Sequence, residues 1–174
     1  MGLTGFVSTE DMKDAGKGSF TVAVWLNVDR SIHEDCVVCG NRDWWWQNRN
    51  ANGFTFVLKN NDTVMSLGCP TDHDDFITPL PEDVESGWVH LITAVDKEKN
   101  ELRVWTDFDF TRSMPVNPVL LADNSAPRFF VGNDAGMKNN TEEFPNIFRL
   151  DDLLIFNRAF TDEDATKLKD YYGL

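Results

Sequence analysis

The chain has 174 residues, 41% of them hydrophobic and 26% charged, and its 29 acidic and 16 basic side chains give a formal net charge of -13. A chain of this length and composition predicts one globular domain, spanning 1–174, with a sizeable core. The negative charge repels phosphate backbones and anionic membrane surfaces, so we expect neither a nucleic-acid partner nor membrane insertion.

The first half of the chain predicts strands joined by turns. Phe20, Val22, Val24 and Leu26 alternate with less apolar residues, which is typical of a strand with one face in a core. Further apolar runs predict strands at 36–40, 53–60 and 63–68, and the Pro- and Asp-rich stretch 70–87 predicts a loop.

The run Cys-Val-Val-Cys at 36–39 holds two of the three cysteines in the chain. An odd number excludes a full disulfide framework. Because the run predicts a strand, Cys36 and Cys39 should point to opposite faces, and we expect buried, inert thiols rather than a metal or redox pair.

The second half predicts more strands and one helix. Residues 87–108 predict a hairpin around the polar turn 96–100, and 128–134 and 148–156 predict two more strands. At the end, Thr161 and Asp164 have the spacing of a capping box, and Gly173 can stop a helix. The pattern predicts an all-β, two-sheet antiparallel jelly-roll sandwich with one short C-terminal helix.

Four segments, in this order, resemble the laminin-G-like, concanavalin-A-like jelly-roll family. SFTVAVWLNV resembles its opening strand, VVCGNRDW followed by NANGFTFVL resembles its next pair, and GWVHLITAVDKEKNELRVWTD resembles its Gly-Trp-His hairpin. LDDLLIFNRAFTDEDATKL resembles the closing strand and helix, with Asn157, Arg158 and Ala159 identical to the motif. The chain departs from the family at Asp107-Phe108, where Asp-Gly is common, and at Phe148-Arg149, where a Gly is common.

The resemblance implies a non-catalytic module that binds glycans or proteins and often holds a calcium ion. It also implies a domain excised from a larger secreted or cell-surface protein, with other domains of that parent chain as partners. We therefore expect an extracellular or cell-surface, lectin-like or adhesion module, with its signal sequence outside this fragment.

Three consecutive tryptophans are the first candidate site. An exposed indole can stack on a sugar ring while polar neighbours bond the hydroxyls. The predicted ligand-binding residues are Trp44, Trp45, Trp46, Arg42, Asp43, Gln47, Asn48, Arg49 and Asn52. Three alternatives stay open: the tryptophans form a structural plug, the loop binds a protein, or the domain is a spacer without ligand.

Carboxylates are the second candidate site. A charge such as Asp151 within an apolar strand is costly to bury unless it meets a cation or hydrogen-bond donors, and Ca²⁺ prefers oxygen ligands. Predicted calcium ligands are Asp151 with Glu10 and Asp11 or, at a rim site instead, Asp107, Asp109 and Asp134. The alternative to calcium is satisfaction of the carboxylate by backbone N–H groups or Arg. Glu10 and Asp11 belong to a segment expected to pair beside the closing strand. His73, in TDHDDF, lacks a second ligand at zinc spacing, so we expect a solvated loop there.

Catalysis is not expected. A retaining glycosidase needs two carboxylates close together on one face, and the chain lacks the Glu-x-Asp-x-x-Glu string of the hydrolase relatives. Asp107 and Asp109 have i, i+2 spacing, but they end a predicted strand at a turn. Trp25, Trp88 and Trp105 lie in predicted strands and are expected to pack, and His90 is expected to be a satisfied structural residue.

Overall fold

The computed structural model of the chain describes residues 7–9, 12, 14–28, 35–44, 51–60, 62–81, 87–133 and 148–174. Eleven strands lie within these ranges: β1 Val7–Thr9, β2 Phe20–Val28, β3 Cys36–Gly40, β4 Gly53–Lys59, β5 Asp62–Cys69, β6 Asp72–Pro79, β7 Trp88–Asp96, β8 Glu101–Thr106, β9 Asp109–Pro115, β10 Phe129–Val131 and β11 Phe148–Phe156. A 3₁₀-helix spans Pro118–Leu121, and the helix α1 spans Asp162–Tyr171.

The strands form two antiparallel sheets. The six-stranded sheet has the order β1-β10-β3-β4-β5-β6, and the five-stranded sheet has the order β11-β2-β7-β8-β9. The predicted two-sheet antiparallel sandwich with a C-terminal helix is confirmed.

The core lies between the two sheets because strand side chains alternate between faces. On β2, Phe20, Val22, Val24 and Leu26 enter the core, as the sequence predicts. Phe20 packs on Phe54 of the opposite sheet, with ring centroids 4.5 Å apart. Each sheet therefore keeps an outer face on which further elements can pack.

Three strands were not predicted. The stretch expected to be a loop contains β6, so the interpretation of TDHDDF as a solvated loop is wrong. This strand lies at the edge of the six-stranded sheet, and charged residues on an edge strand oppose pairing with other chains. The second unpredicted strand, β9, lies at an edge of the five-stranded sheet and is exposed along most of its length. The third, β1, pairs with β10 and not with the closing strand β11, so the segment before Glu10 lies in the other sheet from the one expected.

The cysteine prediction is half right. Cys36, Cys39 and Cys69 are buried thiols outside any disulfide, and burial raises the pKa of the Cys39 thiol. The expected opposite orientation of Cys36 and Cys39 is wrong. A register shift between Val37 and Cys39 places both thiols in the main core.

The C-terminal helix begins and ends as predicted. The Thr161 side chain accepts from the Asp164 backbone, and the Asp164 side chain accepts from the Thr161 backbone, which completes the capping box. Gly173 follows with φ of 73°, a conformation that glycine adopts without strain. Ala165 and Leu168 pack the helix on the outer face of the five-stranded sheet.

Candidate functional site

The outer face of the six-stranded sheet carries a small apolar cluster beneath the tryptophan-rich segment. Val37, Val57 and Val64 are register neighbours on β3, β4 and β5, and the Trp44 ring packs on them. Trp44 is 6% exposed, and its Nε1 donates to Asp35 Oδ2 at 3.1 Å. Trp44 is therefore packed as the structural alternative requires, and its ring offers no open platform.

Asn41 connects this segment to two distant parts of the chain. Its Nδ2 donates to Ala15 O at 3.0 Å and to Asn124 O at 2.8 Å, and its Oδ1 accepts from the Phe54 amide at 2.8 Å. A Cβ at Gly53 would lie 2.5 Å from Asn41 Oδ1, and Gly53 has φ of 133°. The close approach therefore requires glycine at 53.

Arg42 is a buried charge, 1% exposed, rather than a surface group. Its guanidinium donates to Ser66 Oγ, and Ser66 Oγ donates in turn to Asp75 Oδ1 at 2.6 Å. The Arg42 carbonyl accepts from Thr55 Oγ1 at 3.0 Å. Arg42 therefore binds β4 and β5 and indirectly reaches the edge strand β6, a contact that the sequence did not indicate.

The structure thus brings together part of the predicted ligand site. Arg42, Asp43 and Trp44 are buried on the outer face of the six-stranded sheet, and Asn52, just before β4, is exposed. Five predicted residues lie outside the described residues: Trp45, Trp46, Gln47, Asn48 and Arg49. Arg42 and Trp44, at the N-terminal end of this tryptophan loop, residues 41–52, are therefore held on the outer face of the six-stranded sheet.

The predicted calcium ligands are not brought together by the described residues. Asp151 is exposed on β11, so the burial cost that motivated a cation there does not arise. Asp107 Oδ1 accepts from the His90 amide at 2.9 Å, and Asp109 is exposed at the start of β9. Glu10, Asp11 and Asp134 lie outside the described residues.

Metal chemistry finds no further support in the described ranges. Among those residues, no group of three or more His, Cys, Asp and Glu side chains could hold a metal ion. His73 lies on β6, in the register position opposite Gly68. Calcium therefore stays a prediction.

The outer face of the five-stranded sheet holds a second site, a box of aromatic rings that the sequence did not predict. His90 is 0% exposed and stacks on Phe108 with ring centroids 4.2 Å apart. Trp25 and Tyr172 contact it edge-on, at 4.8 and 5.6 Å. We call these four residues the aromatic box.

A strained turn supplies one wall of the box. Asp107 has φ of 50° and Phe108 has φ of 70°, a conformation that a bulky residue adopts at a cost and that the family commonly meets with glycine. The Phe108 ring is buried against His90, which offsets that cost. The presence of Phe108 where the family commonly has glycine was the feature of the sequence that could have indicated this site.

His90 is not the satisfied residue that the sequence predicted. Neither ring nitrogen has a hydrogen-bond partner among the described residues. Burial lowers the pKa of His90 from 6.5 to about 4, because the charged imidazolium loses its hydration. The imidazole is therefore neutral at pH 7.

A third feature lies on the same outer face, near the start of α1. Trp105 is buried, and its Nε1 donates to Asp162 Oδ1 at 2.9 Å, to which Arg103 also donates at 2.8 Å. The Arg103 guanidinium lies 5.0 Å from the ring centroid of Phe110, which is 51% exposed. This places an open aromatic ring beside an arginine. Trp105 packs as predicted, and Trp25 and Trp88 are half-buried in their strands.

The two antiparallel sheets, each with a packed cluster on its outer face, form a sandwich of the lectin-like class. The chain belongs to the concanavalin A-like lectin/glucanases superfamily, since a laminin-G family model of this superfamily matches residues 2–166. The resemblance and the jelly-roll class inferred from the sequence are thereby confirmed.

Solved structures share this fold. The botulinum neurotoxin serotype D/C binding domain has a TM-score of 0.70 at 13% identity, over 95% of this chain and 40% of that chain. The binding domain of botulinum neurotoxin DC in complex with rat synaptotagmin II has a TM-score of 0.69 at 12% identity, over 95% and 40%. In complex with SialylT it has a TM-score of 0.68 at 14% identity, over 95% and 38%.

This chain thus spans about two fifths of the length of those solved chains. At such identities the likeness concerns the fold alone. No curated protein matches the chain. No helix in the described part of the chain is long and apolar enough to cross a membrane.

Proposed function

We propose that this chain is a non-catalytic glycan-binding module that presents the tryptophan loop on the outer face of its six-stranded sheet. The observation that carries the proposal is the construction of the loop base. Four consecutive residues, 41–44, are buried, and Asn41, Arg42 and Trp44 each bond to other strands or loops. A base fixed in this way reduces the ordering cost of binding.

The residues of the loop divide into two roles. Arg42, Asp43 and Trp44 hold the base, since their side chains are enclosed. Sugar contact falls to the residues further along the loop. Trp45 and Trp46 supply the stacking surface, and hydrogen bonds to the hydroxyls come from Gln47, Asn48, Arg49 and Asn52.

The affinity of such a site is modest. Covering about 50 to 100 Å² of apolar ring face at about 25 cal/mol/Å² contributes roughly 1 to 3 kcal/mol before the costs of association. We expect dissociation constants in the micromolar to millimolar range. Because the chain carries a charge of -13, neutral glycans should bind more tightly than acidic ones at low salt.

Structural neighbours support a binding role. One is a toxin binding domain in complex with SialylT, and another comes from botulinum neurotoxin type C, whose cell entry depends on interaction with two ganglioside molecules. A binding module of a secreted or surface protein, joined to other domains, fits this comparison. A non-catalytic role fits Asp107, whose carboxylate is engaged by the His90 amide rather than held open for a substrate.

A structural calcium ion is part of the proposal. Its ligands would come from Asp151, Asp109 or the carboxylates outside the described ranges, as the family resemblance suggests. Removing calcium with EDTA should lower the melting temperature and leave the loop base intact. An unchanged melting temperature with and without calcium would contradict a calcium site.

A protein partner is the second candidate function. The observation that favours it is Phe110, open to solvent and stacked beside Arg103 on the opposite outer face. Exposed aromatic residues and arginine are the types that dominate interface energies. A neighbouring toxin domain in complex with rat synaptotagmin II is consistent with such a role.

Calorimetric titration against neutral and sialylated oligosaccharides tests the glycan proposal. Trp45→Ala and Trp46→Ala should each weaken binding about tenfold or more, the equivalent of roughly 1.4 kcal/mol, without loss of folding. Phe110→Ala is the matched control, since it removes an exposed aromatic ring from the other face, and it should leave binding unchanged.

Two outcomes would contradict the glycan proposal. One is the absence of binding to every oligosaccharide in the panel. The other is binding that Phe110→Ala abolishes while both tryptophan variants retain it, which would move the contact to the five-stranded sheet.

A further inference from the structure

The two ends of α1 are fixed by different chemistry. At the start, Arg158 donates to both oxygens of Asp164 at 2.6 and 2.8 Å, and Asp162 accepts from Trp105 Nε1 and Arg103. These contacts are charged and reach solvent. They tie the start of the helix to the chain before it and to β8.

The end of the helix rests instead on the aromatic box. Tyr172 follows the last helical residue, and its ring centroid lies 5.8 Å from that of Trp25, 5.6 Å from that of His90 and 5.9 Å from that of Phe108. The Asp152 carboxylate lies close to the Tyr172 hydroxyl, and the packing of neutral rings around one buried imidazole holds the rest of this end in place.

We propose that His90 is an acid-sensitive latch, whose protonation releases the C-terminal end of α1 from the five-stranded sheet while the N-terminal end stays docked. The imidazole is enclosed, and neither ring nitrogen has a partner among the described residues. A proton taken up from water by this ring would place a charge among three aromatic rings. Opening the box, by moving Tyr172 away, hydrates that charge.

The charged and titratable groups around the ring come from three elements. The β8–β9 turn contributes Asp107, whose Oδ1 accepts from the His90 main-chain amide and is thereby engaged. The bulged strand β11 contributes Asp152, close to the Tyr172 hydroxyl. The helix end contributes Tyr172 itself, whose pKa is raised by burial and by Asp152, so it stays neutral. From β2 the facing group is the neutral indole of Trp25.

The direction of the pH effect follows from burial. Burial lowers the pKa of His90 to about 4, below its ordinary 6.5. The unfolded chain therefore binds the proton first as pH falls, and the stability that the neutral ring provides is present above pH 6.5 and is lost toward pH 4. The pKa of Asp162 is lowered by the Trp105 and Arg103 bonds, and that of Asp164 by Arg158. Both carboxylates stay ionised, so the start of the helix keeps its contacts.

Tyrosine signals provide a direct test, because the chain contains only two tyrosines. Tyr171 is 80% exposed, and its ring lies 5.5 Å from that of Tyr172, which lies in the box. In a protein with ¹³C-labelled tyrosine rings and alanine methyl groups, the Tyr172 ring signal at pH 7 should be displaced by its aromatic neighbours. Between pH 7 and 4 it should move about halfway or more to the position of tyrosine in the unfolded chain, while the Ala165 methyl signal stays in place.

Non-titrating variants identify the sensor. In His90→Phe, and in His90→Gln should the first variant fail to fold, the Tyr172 signal should keep its pH 7 position at pH 4. His73→Gln, on the edge strand β6, is the matched control and should behave as the wild type. Asp152→Asn should also keep the response.

Three results would overturn the latch. The Tyr172 signal of the wild type stays displaced at pH 4, or it moves equally in the His90 variants, or its movement disappears in Asp152→Asn and persists in His90→Phe. The last result would make the Asp152 carboxylate the acid-sensitive group.

Discussion

Two buried polar side chains, one in each sheet of the sandwich, are accommodated in opposite ways. Asn41, directly after β3 of the six-stranded sheet, makes three side-chain hydrogen bonds, so burial leaves its amide group bonded. On the five-stranded sheet, His90 is also buried, but its ring nitrogens have no partner among the described residues. At Asn41 protein partners replace water, whereas at His90 aromatic rings replace it.

The two kinds of burial have different consequences: one holds the chain in a fixed arrangement, and the other makes stability depend on pH. A buried polar group with all its bonds made holds the chain in one arrangement, which suits the base of a binding loop. A buried group without partners costs free energy that changes when the group takes up a proton. We propose ligand binding for the face that carries the tryptophan loop and acid sensitivity for the face that carries His90, and four changes test this difference.

Asn41→Ala should have the largest effect. It leaves the Phe54 amide and the Ala15 and Asn124 carbonyls buried without their partner, and at about 1 to 3 kcal/mol for each such group the unfolding free energy should fall by about 4 kcal/mol. Urea denaturation measures it. Asn117→Ala, which removes only the exposed cap of the 3₁₀-helix, is the control and should cost about 1 kcal/mol. Equal losses of unfolding free energy in the two variants would contradict the claim that the three hydrogen bonds of the Asn41 side chain stabilise the fold.

His90 should give the next largest effect, and it depends on pH. The shift of its pKa from 6.5 to about 4, at about 1.4 kcal/mol per unit, means that neutral burial contributes roughly 3 kcal/mol above pH 6.5 that is lost toward pH 4. Denaturation at pH 7 and pH 4 should show a steeper loss for the wild type than for His90→Phe. Parallel pH profiles for the two proteins would show that His90 does not titrate as described.

Phe108→Gly should cost about 2 kcal/mol. Losing a buried phenyl ring costs about 3 to 5 kcal/mol, and glycine recovers part of this because it adopts φ of 70° without strain. Comparison with Phe108→Ala isolates the strain, since alanine loses the ring and keeps the unfavourable φ. The alanine variant should therefore have a lower melting temperature than the glycine variant. The reverse order would contradict backbone strain at residue 108.

Thr161→Ala should have the smallest effect, about 1 kcal/mol, because it removes one half of the capping box. Arg158 still holds Asp164 in this variant, so the helix should stay docked. Far-UV circular dichroism during thermal unfolding is the measurement. A loss as large as that of Asn41→Ala would mean that the start of α1 depends on this cap alone.

Most of the fold was predictable from the sequence because apolar and less apolar residues alternate along core strands. Phe20 to Leu26 on β2 and the run at β7 carry that pattern, and Thr161 with Asp164 marks the helix start. The edge strands β6 and β9 were missed because one or both of their faces meet solvent. Asp72, Asp74 and Asp75 therefore look like loop residues until β5 pairs with them.

The candidate sites were less predictable because they depend on long-range contacts. The burial of Trp44 requires Val37, Val57 and Val64 from three strands, and a register shift in β3 that no local pattern announces. The isolation of His90 depends on Tyr172, more than 80 residues away in the chain. The sequence indicated that the loop carries polar residues able to bind a ligand. It did not indicate which of its residues are buried.

An NMR titration of the ¹⁵N-labelled protein with the tightest-binding oligosaccharide of the panel locates the glycan contact. We predict that the amide signals of 41–44, of Asn52 and Gly53, and of the neighbouring β4 and β5 residues move with ligand concentration. Those of His90, Phe110 and α1 should stay in place. Movement confined to the five-stranded sheet and α1, or no saturable movement anywhere, would contradict the assignment of glycan binding to the tryptophan loop.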